Sequence, residues 1–217
     1  MHHTLLSFPD IQLRQSDGHK LRGYFAKTFG DESDLFHNHN EDGSAIYRYP
    51  RIQFKVTDGY PMILGIQEGA KLLVDRFISL KEIVINEKVY PLQQKNLISG
   101  IAQIGISDDL HNYTFLSPWM ALNQKNYQVY QQSDTTEKQR LLKKILIGNM
   151  LSFYRAIDHM VTENIMVSLQ TNQITTSFKN QKMLAFKGQF TANVVLPDMI
   201  GLGKSVARGY GTIKKLT

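Results

Sequence analysis

The sequence has no cysteine. A disulfide scaffold, a thiolate nucleophile and a cysteine-built zinc site are therefore excluded. Long apolar runs are missing as well, since none reaches the roughly 18 residues that a membrane span needs. The amino end carries no secretory pattern, because Pro9, Asp10 and Arg14 interrupt its apolar stretch. The expectation is a soluble, cytoplasmic protein with no membrane partner. Low-complexity tracts and short repeats are also absent. With 42% hydrophobic and 20% charged residues, the chain has ordinary globular composition. Its 217 residues suit one large domain or two of about 100 each.

Net charge is absent from most of the chain. Residues 1–178 are balanced, and the whole formal charge of +6 lies beyond them. There Lys179, Lys182, Lys187, Lys204, Arg208, Lys214 and Lys215 are opposed by Asp198 alone. A concentrated positive segment attracts polyanions, and Lys or Arg at phosphates releases counterions from nucleic acid. Charge alone equally fits a solvated basic surface. The segment is not a polar tail, however, because Phe186, Phe190, Val194, Val195 and Ile213 interleave with the cations.

Hydrophobic periodicity predicts the elements. Residues 4–14 read as a strand, with Pro9 marking a bulge or an edge. Asp17 is placed to cap a helix from about His19 that ends at Gly30, with Leu21, Tyr24, Phe25 and Phe29 at helical spacing. A polar loop follows over 31–44. Strands are predicted over 46–56 and from Met62 to Ile66, joined at the hairpin signal Asp58-Gly59. A short helix over 68–78 and a strand over 81–86 complete a βαββαβ order, the ferredoxin-like unit. The chain turns polar near Ser107, which places the boundary between a domain of residues 1–106 and one of 107–217. In the second, a strand is expected over 113–122. Ser133-Asp134 caps a long helix over 135–159 whose broad apolar face demands burial. Strands are expected over 165–171, 174–178, 183–196 and 209–216. No second crossover helix precedes the last strand, so the fold class is α+β, tandem ferredoxin-like halves with the second degenerate. Trp119 and the methionines read as core.

Where that helix is missing stands PDMIGLGKSVARGYG. Gly201, Gly203, Gly209 and Gly211 surround Lys204, Ser205 and Arg208 within eleven residues. Glycine permits positive φ and close backbone approach, and loop amides beside cations suit phosphates. A mononucleotide phosphate loop fails on spacing, because its first glycine would fall at Asp198. A dinucleotide fingerprint fails because its third glycine would fall at Val206. A strained connection between strands is the plain alternative; the cations favour a polyphosphate backbone.

The second constellation is Phe36-His37-Asn38-His39, with Tyr47 beyond it. Lys20 and Lys27 lie on one face of the preceding helix. RNA cleavage needs a base for the 2′-hydroxyl, an acid for the leaving 5′-oxygen and a cation for the phosphorane. Histidine, with a reference pKa of about 6.5, serves as base or acid near neutrality. No metal or other cofactor is required, because the nucleophile is already tethered to the phosphate. A strand-like segment would put both imidazoles on one side, whereas a helical turn would separate them by about 200°. His-x-His with Asp34 or Asp42 as a metal site, and two plain loop histidines, are the competing readings.

Taken together, GLGKSVARGYGTIKK preceded by FKGQFTANVVLPD resembles the carboxyl-terminal signature of the Cas6 family of CRISPR-associated endoribonucleases. LRGYFAKTFGDESDLFHNHN followed by YRYPRIQFKV resembles the amino-terminal half of its b-type subgroup. The resemblance implies a repeat-associated (RAMP) protein of two ferredoxin-like halves. Such a protein cuts precursor CRISPR RNA within each repeat, without metal, leaving a 2′,3′-cyclic phosphate and a 5′-hydroxyl. By matching position it implies Lys27, His37, His39 and Tyr47 as catalytic residues. Lys20, Gly201, Gly203, Lys204, Ser205, Arg208, Gly209 and Gly211 would contact RNA. A CRISPR effector complex and a second copy of the chain, forming a homodimer, are the further partners it admits. A non-catalytic RAMP subunit that binds RNA is the alternative function.

Overall fold

The computed structural model describes residues 1–30, 33–36, 48–178 and 181–216. The chain divides into two compact units. One is Met1–Ala102 with Val206–Gly209, and the other is Gln103–Ser205 with Tyr210–Thr217.

The amino-terminal unit is built on strands β1 (His2–Ser7), β2 (Ile52–Thr57) and β3 (Tyr60–Ile66), and helices α1 (Gly18–Phe29) and α2 (Glu68–Phe77). Strands β4 (Glu82–Ile85), β5 (Lys88–Pro91) and β6 (Asn96–Ile101) follow. The main sheet runs β2-β3-β1-β6, all pairs antiparallel, which is the ferredoxin-like order. Two expectations change here. The segment over 81–86 forms β4, but among the described residues β4 pairs with β5 alone, in a separate hairpin, and β6 supplies the fourth sheet strand. Strand β1 stops at Ser7 because it is central, and Pro9 has no ladder donor to offer there. One face of the sheet and α1 share a core of Leu6, Phe8, Leu21, Phe25, Phe54 and Ile63. Asp17 occupies the N-cap position of α1 without making a cap bond. Its carboxylate instead accepts from the Arg14 amide at 3.1 Å and pairs with Lys20 at 2.7 Å.

The carboxyl-terminal unit holds β7 (Gly105–Phe115), α3 (Gln124–Gln132), α4 (Thr135–Ala156), β8 (Val167–Phe178), β9 (Gln181–Val195) and β10 (Ile213–Lys215). Its sheet runs β10-β7-β9-β8, the same positional order as the first unit. Among the described residues no α-helix stands between β9 and β10, where a full ferredoxin-like unit has its second crossover helix; the glycine-rich segment occupies that stretch of sequence. The predicted strand over 113–122 begins earlier, at Gly105, and ends at Phe115, before Pro118. Helix α3 has no counterpart among the expectations. Helix α4 begins in a capping box: the Asp134 carboxylate accepts from the Glu137 amide at 2.8 Å, and Glu137 accepts from the Asp134 amide at 3.3 Å. Its Leu142, Leu146, Met150 and Phe153 are buried, as the periodicity requires. Trp119 is fully buried and donates its Nε1 hydrogen to Asn149 at 3.0 Å. The methionine reading is corrected at two positions, since Met160 is 85% exposed and Met166 58% exposed. Both lie in the irregular run and strand margin after α4, beyond its apolar face.

Candidate functional site

Three of the four catalytic candidates, His37, His39 and Tyr47, lie outside the described residues, as does Lys179. The structure does place the two ends of that segment. Phe36, immediately before His37, is fully buried, with its ring 5.5 Å from Phe29 and 6.2 Å from Phe25. On the far side, Arg48 pairs with Asp34 at 2.8 Å. In sequence the histidine segment is therefore preceded by a core aromatic packed on the last turn of α1 and followed by one arm of an ion pair. The fourth candidate, Lys27, is exposed in that same turn. Asp34, the proposed partner of a metal reading, already faces a guanidinium. Lys20 is engaged by Asp17, at the opposite end of the helix. Burial raises the Asp17 carboxyl, but the Lys20 and Arg14 bonds outweigh it and hold the group below its ordinary value.

The glycine-rich segment uses its glycines for packing. Gly203 has φ +95°, and a Cβ there would sit 2.8 Å from Trp119 Nε1 and 2.9 Å from the Met120 carbonyl. Gly211 has φ +63° and lies against the Leu202 carbonyl. Several loop amides are consumed internally. Leu202 donates to Gly211 O, Lys204 to Met120 O, Gly209 to Val206 O and Gly211 to Pro118 O, all at 2.9–3.0 Å. Those four amides cannot cradle a phosphate, which leaves the side chains of the segment as its possible phosphate contacts. Lys204 is exposed, while Ser205 and Arg208 are half-buried. Gly201 and Gly211 are buried, Gly201 in a bridge to Thr212, and so act as framework.

Val206–Arg208 forms a 3₁₀ turn that belongs with the amino-terminal unit. There a Cβ on Gly209, at φ +87°, would sit 2.9 Å from the Phe54 carbonyl oxygen, and one on Gly18 of α1 would sit 2.9 Å from the Arg208 carbonyl oxygen. The turn is thus seated backbone to backbone on α1 and β2. This contact brings Arg22 of α1, which sequence reasoning did not single out, into the field of Arg208. A second residue missed by the sequence is Lys55 of β2, wholly buried, its ammonium donating to Gln53 Oε1 at 2.9 Å. Burial lowers its pKa to about 7.

Comparison with known proteins adds the following. Residues 2–103 match the model of the Cas6b N-terminal domain, and residues 105–216 that of the Cas6b C-terminal domain. A crystal structure of Cas6b is 37% identical, covers 99% of this chain and 99% of that one, and superposes with a TM-score of 0.95. A crystal structure of the CRISPR RNA processing endoribonuclease Cas6b is 34% identical over 100% of both chains, with a TM-score of 0.81. An uncharacterized protein of Methanocaldococcus jannaschii is 32% identical over 142 residues, which are 63% of this chain and 93% of that protein.

Proposed function

The chain belongs to the Cas6b family, and from that premise we propose that it is a metal-independent endoribonuclease that cuts precursor CRISPR RNA within its repeats. The observation that carries this reading is the match of both halves to Cas6b, with a solved relative that is a CRISPR RNA processing endoribonuclease. The exposed Lys27, in the last turn of the helix that precedes the histidine segment in sequence, supports the assignment of the chemistry. In this mechanism His39 takes the 2′-hydroxyl proton, and the oxygen attacks the adjacent phosphorus. The bond from phosphorus to the 5′-oxygen breaks, and His37 returns a proton to the leaving oxygen. The products are a 2′,3′-cyclic phosphate and a 5′-hydroxyl. Lys27 and Tyr47 stabilise the charge of the phosphorane. Lys204, Ser205 and Arg208 hold the RNA backbone. A CRISPR effector complex and a second copy of the chain are the protein partners this reading admits, and the cytoplasm is its setting.

A labelled repeat RNA incubated with the chain in excess EDTA tests the reading. Cleavage to a cyclic-phosphate end is the expected outcome. Binding without cleavage, with or without added metal, would make the chain a carrier of RNA and not an enzyme. Cleavage abolished by the chelator and restored by a divalent cation would return His37 and His39 to the role of metal ligands.

A further inference from the structure

Strand β6 is one edge of the amino-terminal sheet. The direction of its main-chain groups follows from two hydrogen bonds near the start of the β1 ladder. The Ala102 amide donates to the Met1 carbonyl at 2.8 Å, and the His2 carbonyl accepts from the Gln67 amide at 2.9 Å, on the β3 side. Bonded and non-bonded pairs alternate along an antiparallel ladder. With the register His3↔Gly100, Leu5↔Ile98 and Ser7↔Asn96, the main-chain groups of Asn96, Ile98 and Gly100 are therefore spent on β1. Those of Leu97, Ser99 and Ile101 point away from the sheet, and among the described residues no strand receives them.

Sheet edges are ordinarily guarded by charge, proline, a bulge or a covering element. Strand β6 has none of these. Its sequence NLISGI is uncharged and free of proline, and its ladder with β1 runs without a register shift. Lys95, the cation next to it in sequence, is turned back, its ammonium donating to the Phe77 and Leu80 carbonyls at 2.7 and 2.8 Å. Ile98 and Ile101 are 63% and 75% exposed. The other edges differ. Strand β2 carries the Val206–Arg208 turn, β10 presents Lys214 and Lys215, and β8 exposes no large hydrophobic side chain.

We infer that β6 is a self-association edge, through which two copies of the chain pair β6 to β6, antiparallel, about a two-fold axis at Ser99. The two four-stranded sheets then join edge to edge. The inference goes beyond the proposed cleavage, since it names the surface for a second copy and does not depend on whether the chain cuts RNA. A two-fold axis makes a strand its own antiparallel partner. With the axis at Ser99, Ser99 faces its own copy, Leu97 faces Ile101, and Ile98 faces Gly100. The three outward residues all fall at bonded positions, so each pair exchanges two hydrogen bonds. The side chains fit the same register. On one face Leu97, packed against the core, covers Ile101 of the other copy. On the other face Ile98 lies over Gly100, where even a Cβ would meet only His3 Cε1, at 3.8 Å. Moving the axis to Ile98 would set Ile101 opposite Lys95 and lose a bonded pair. Two chains of charge +6 repel at long range, but the paired segment brings no like charges into contact. A contact one strand wide falls at the low end of specific interfaces, below about 1,200 Å² in total, so a micromolar dissociation constant is expected.

The test uses the full chain without RNA. Sedimentation equilibrium from micromolar to several hundred micromolar is expected to show monomer and dimer in exchange. Ile101→Pro removes an outward N–H and leaves the bonds to β1 in place. It should weaken the dimer roughly 30-fold or more, since symmetry deletes two hydrogen bonds. Ile101→Lys places a charge on the edge and should weaken it roughly 10-fold or more. Cross-linking reads the register without weakening the contact, because the chain has no cysteine of its own. Ile98→Cys mixed with Gly100→Cys should give a disulfide-linked dimer on mild oxidation, the two Cα atoms being about 4.5 Å apart. Neither variant alone should do so, because like positions lie diagonally, about 7–8 Å apart. A chain that stays monomeric throughout would leave the edge to a strand of another protein and overturn the inference. So would a dimer that both Ile101 variants leave at wild-type strength, or cross-linking of the unmixed variants as fast as the mixture. Whether a monomeric Ile101→Pro chain cuts repeat RNA bears on the proposed function alone.

Discussion

Lys55 is 1% exposed, with its ammonium on Gln53 and its Cα beneath Gly209. Taking an ammonium out of water favours the neutral amine, hence its fall from 10.5 to about 7. An unfolded chain would hold that proton up to the ordinary value. Between pH 7 and that value the unfolded state binds more protons than the folded one, so stability rises with pH. The slope is at most about 1.4 kcal/mol per pH unit for this one group. Tyr24, Tyr113 and Tyr154 are raised by burial and oppose the trend only above their ordinary value of 10.0, which leaves pH 7–9 as the informative window. Denaturant midpoints are expected to climb across that window, and in Lys55→Met the climb should vanish. An equal climb in the variant would sink the assignment. At the histidines the expectation concerns rate instead. Under single-turnover conditions His37→Ala and His39→Ala should each slow cleavage by roughly 10²–10⁴-fold with RNA affinity retained, if one imidazole is base and the other acid. Loss in His39→Ala alone makes His37 a bystander, and a wild-type rate in the double variant ends the catalytic role of both.

Among the elements, α4 turns Leu142, Leu146, Met150, Phe153 and Tyr154 inward. Phe153→Ala is expected to cost about 3–5 kcal/mol and Leu142→Ala about 2–5 kcal/mol, through lost burial and the cavity left behind. Unchanged melting in both would contradict an inward face. This helix was legible in the sequence because three signals agree: a 3.6-residue apolar period, a capping residue at Asp134, and length. Strand β6 was not, because Ile98 and Ile101 are exposed and no alternation marks its buried side. Its strand character comes from the ladder with β1, from His2↔Ile101 to Ser7↔Asn96, and the local sequence does not announce a remote partner. The hairpin β4–β5 misled for a related reason: its strand propensity was plain, but propensity does not name the sheet a strand joins. The glycine-rich segment was conspicuous as composition. The division of its glycines between backbone packing and ligand approach depends on Trp119, Met120 and Phe54, all distant in sequence. Arg22 escaped notice because a charged residue beside an apolar helix face ordinarily points to solvent.

At the scale of the whole molecule, the two units are compact but not contiguous in sequence. The chain leaves the carboxyl-terminal unit at Ser205, contributes Val206–Gly209 to the amino-terminal one, and returns at Tyr210. Val206 is 4% exposed, so the excursion is packed as framework, and its cation rides on that framework. A substitution late in the sequence should therefore loosen structure that is early in the sequence. Gly209 is the position that isolates the effect. It holds φ +87°, where a β-branched side chain is strained, and the Phe54 carbonyl leaves no room for a Cβ. Gly209→Val is expected to cost about 1–3 kcal/mol through backbone strain alone. Hydrogen exchange reports where that cost falls. Amides of β2, α1 and β3 should exchange faster in the variant, while those of the β7–β9 ladder keep wild-type protection. Faster exchange confined to the carboxyl-terminal unit would show that the turn belongs to its own sequence neighbours. Equal loss of protection in both units would mean that they unfold as one, so that the cation-bearing turn cannot be loosened without dissolving the fold that presents it.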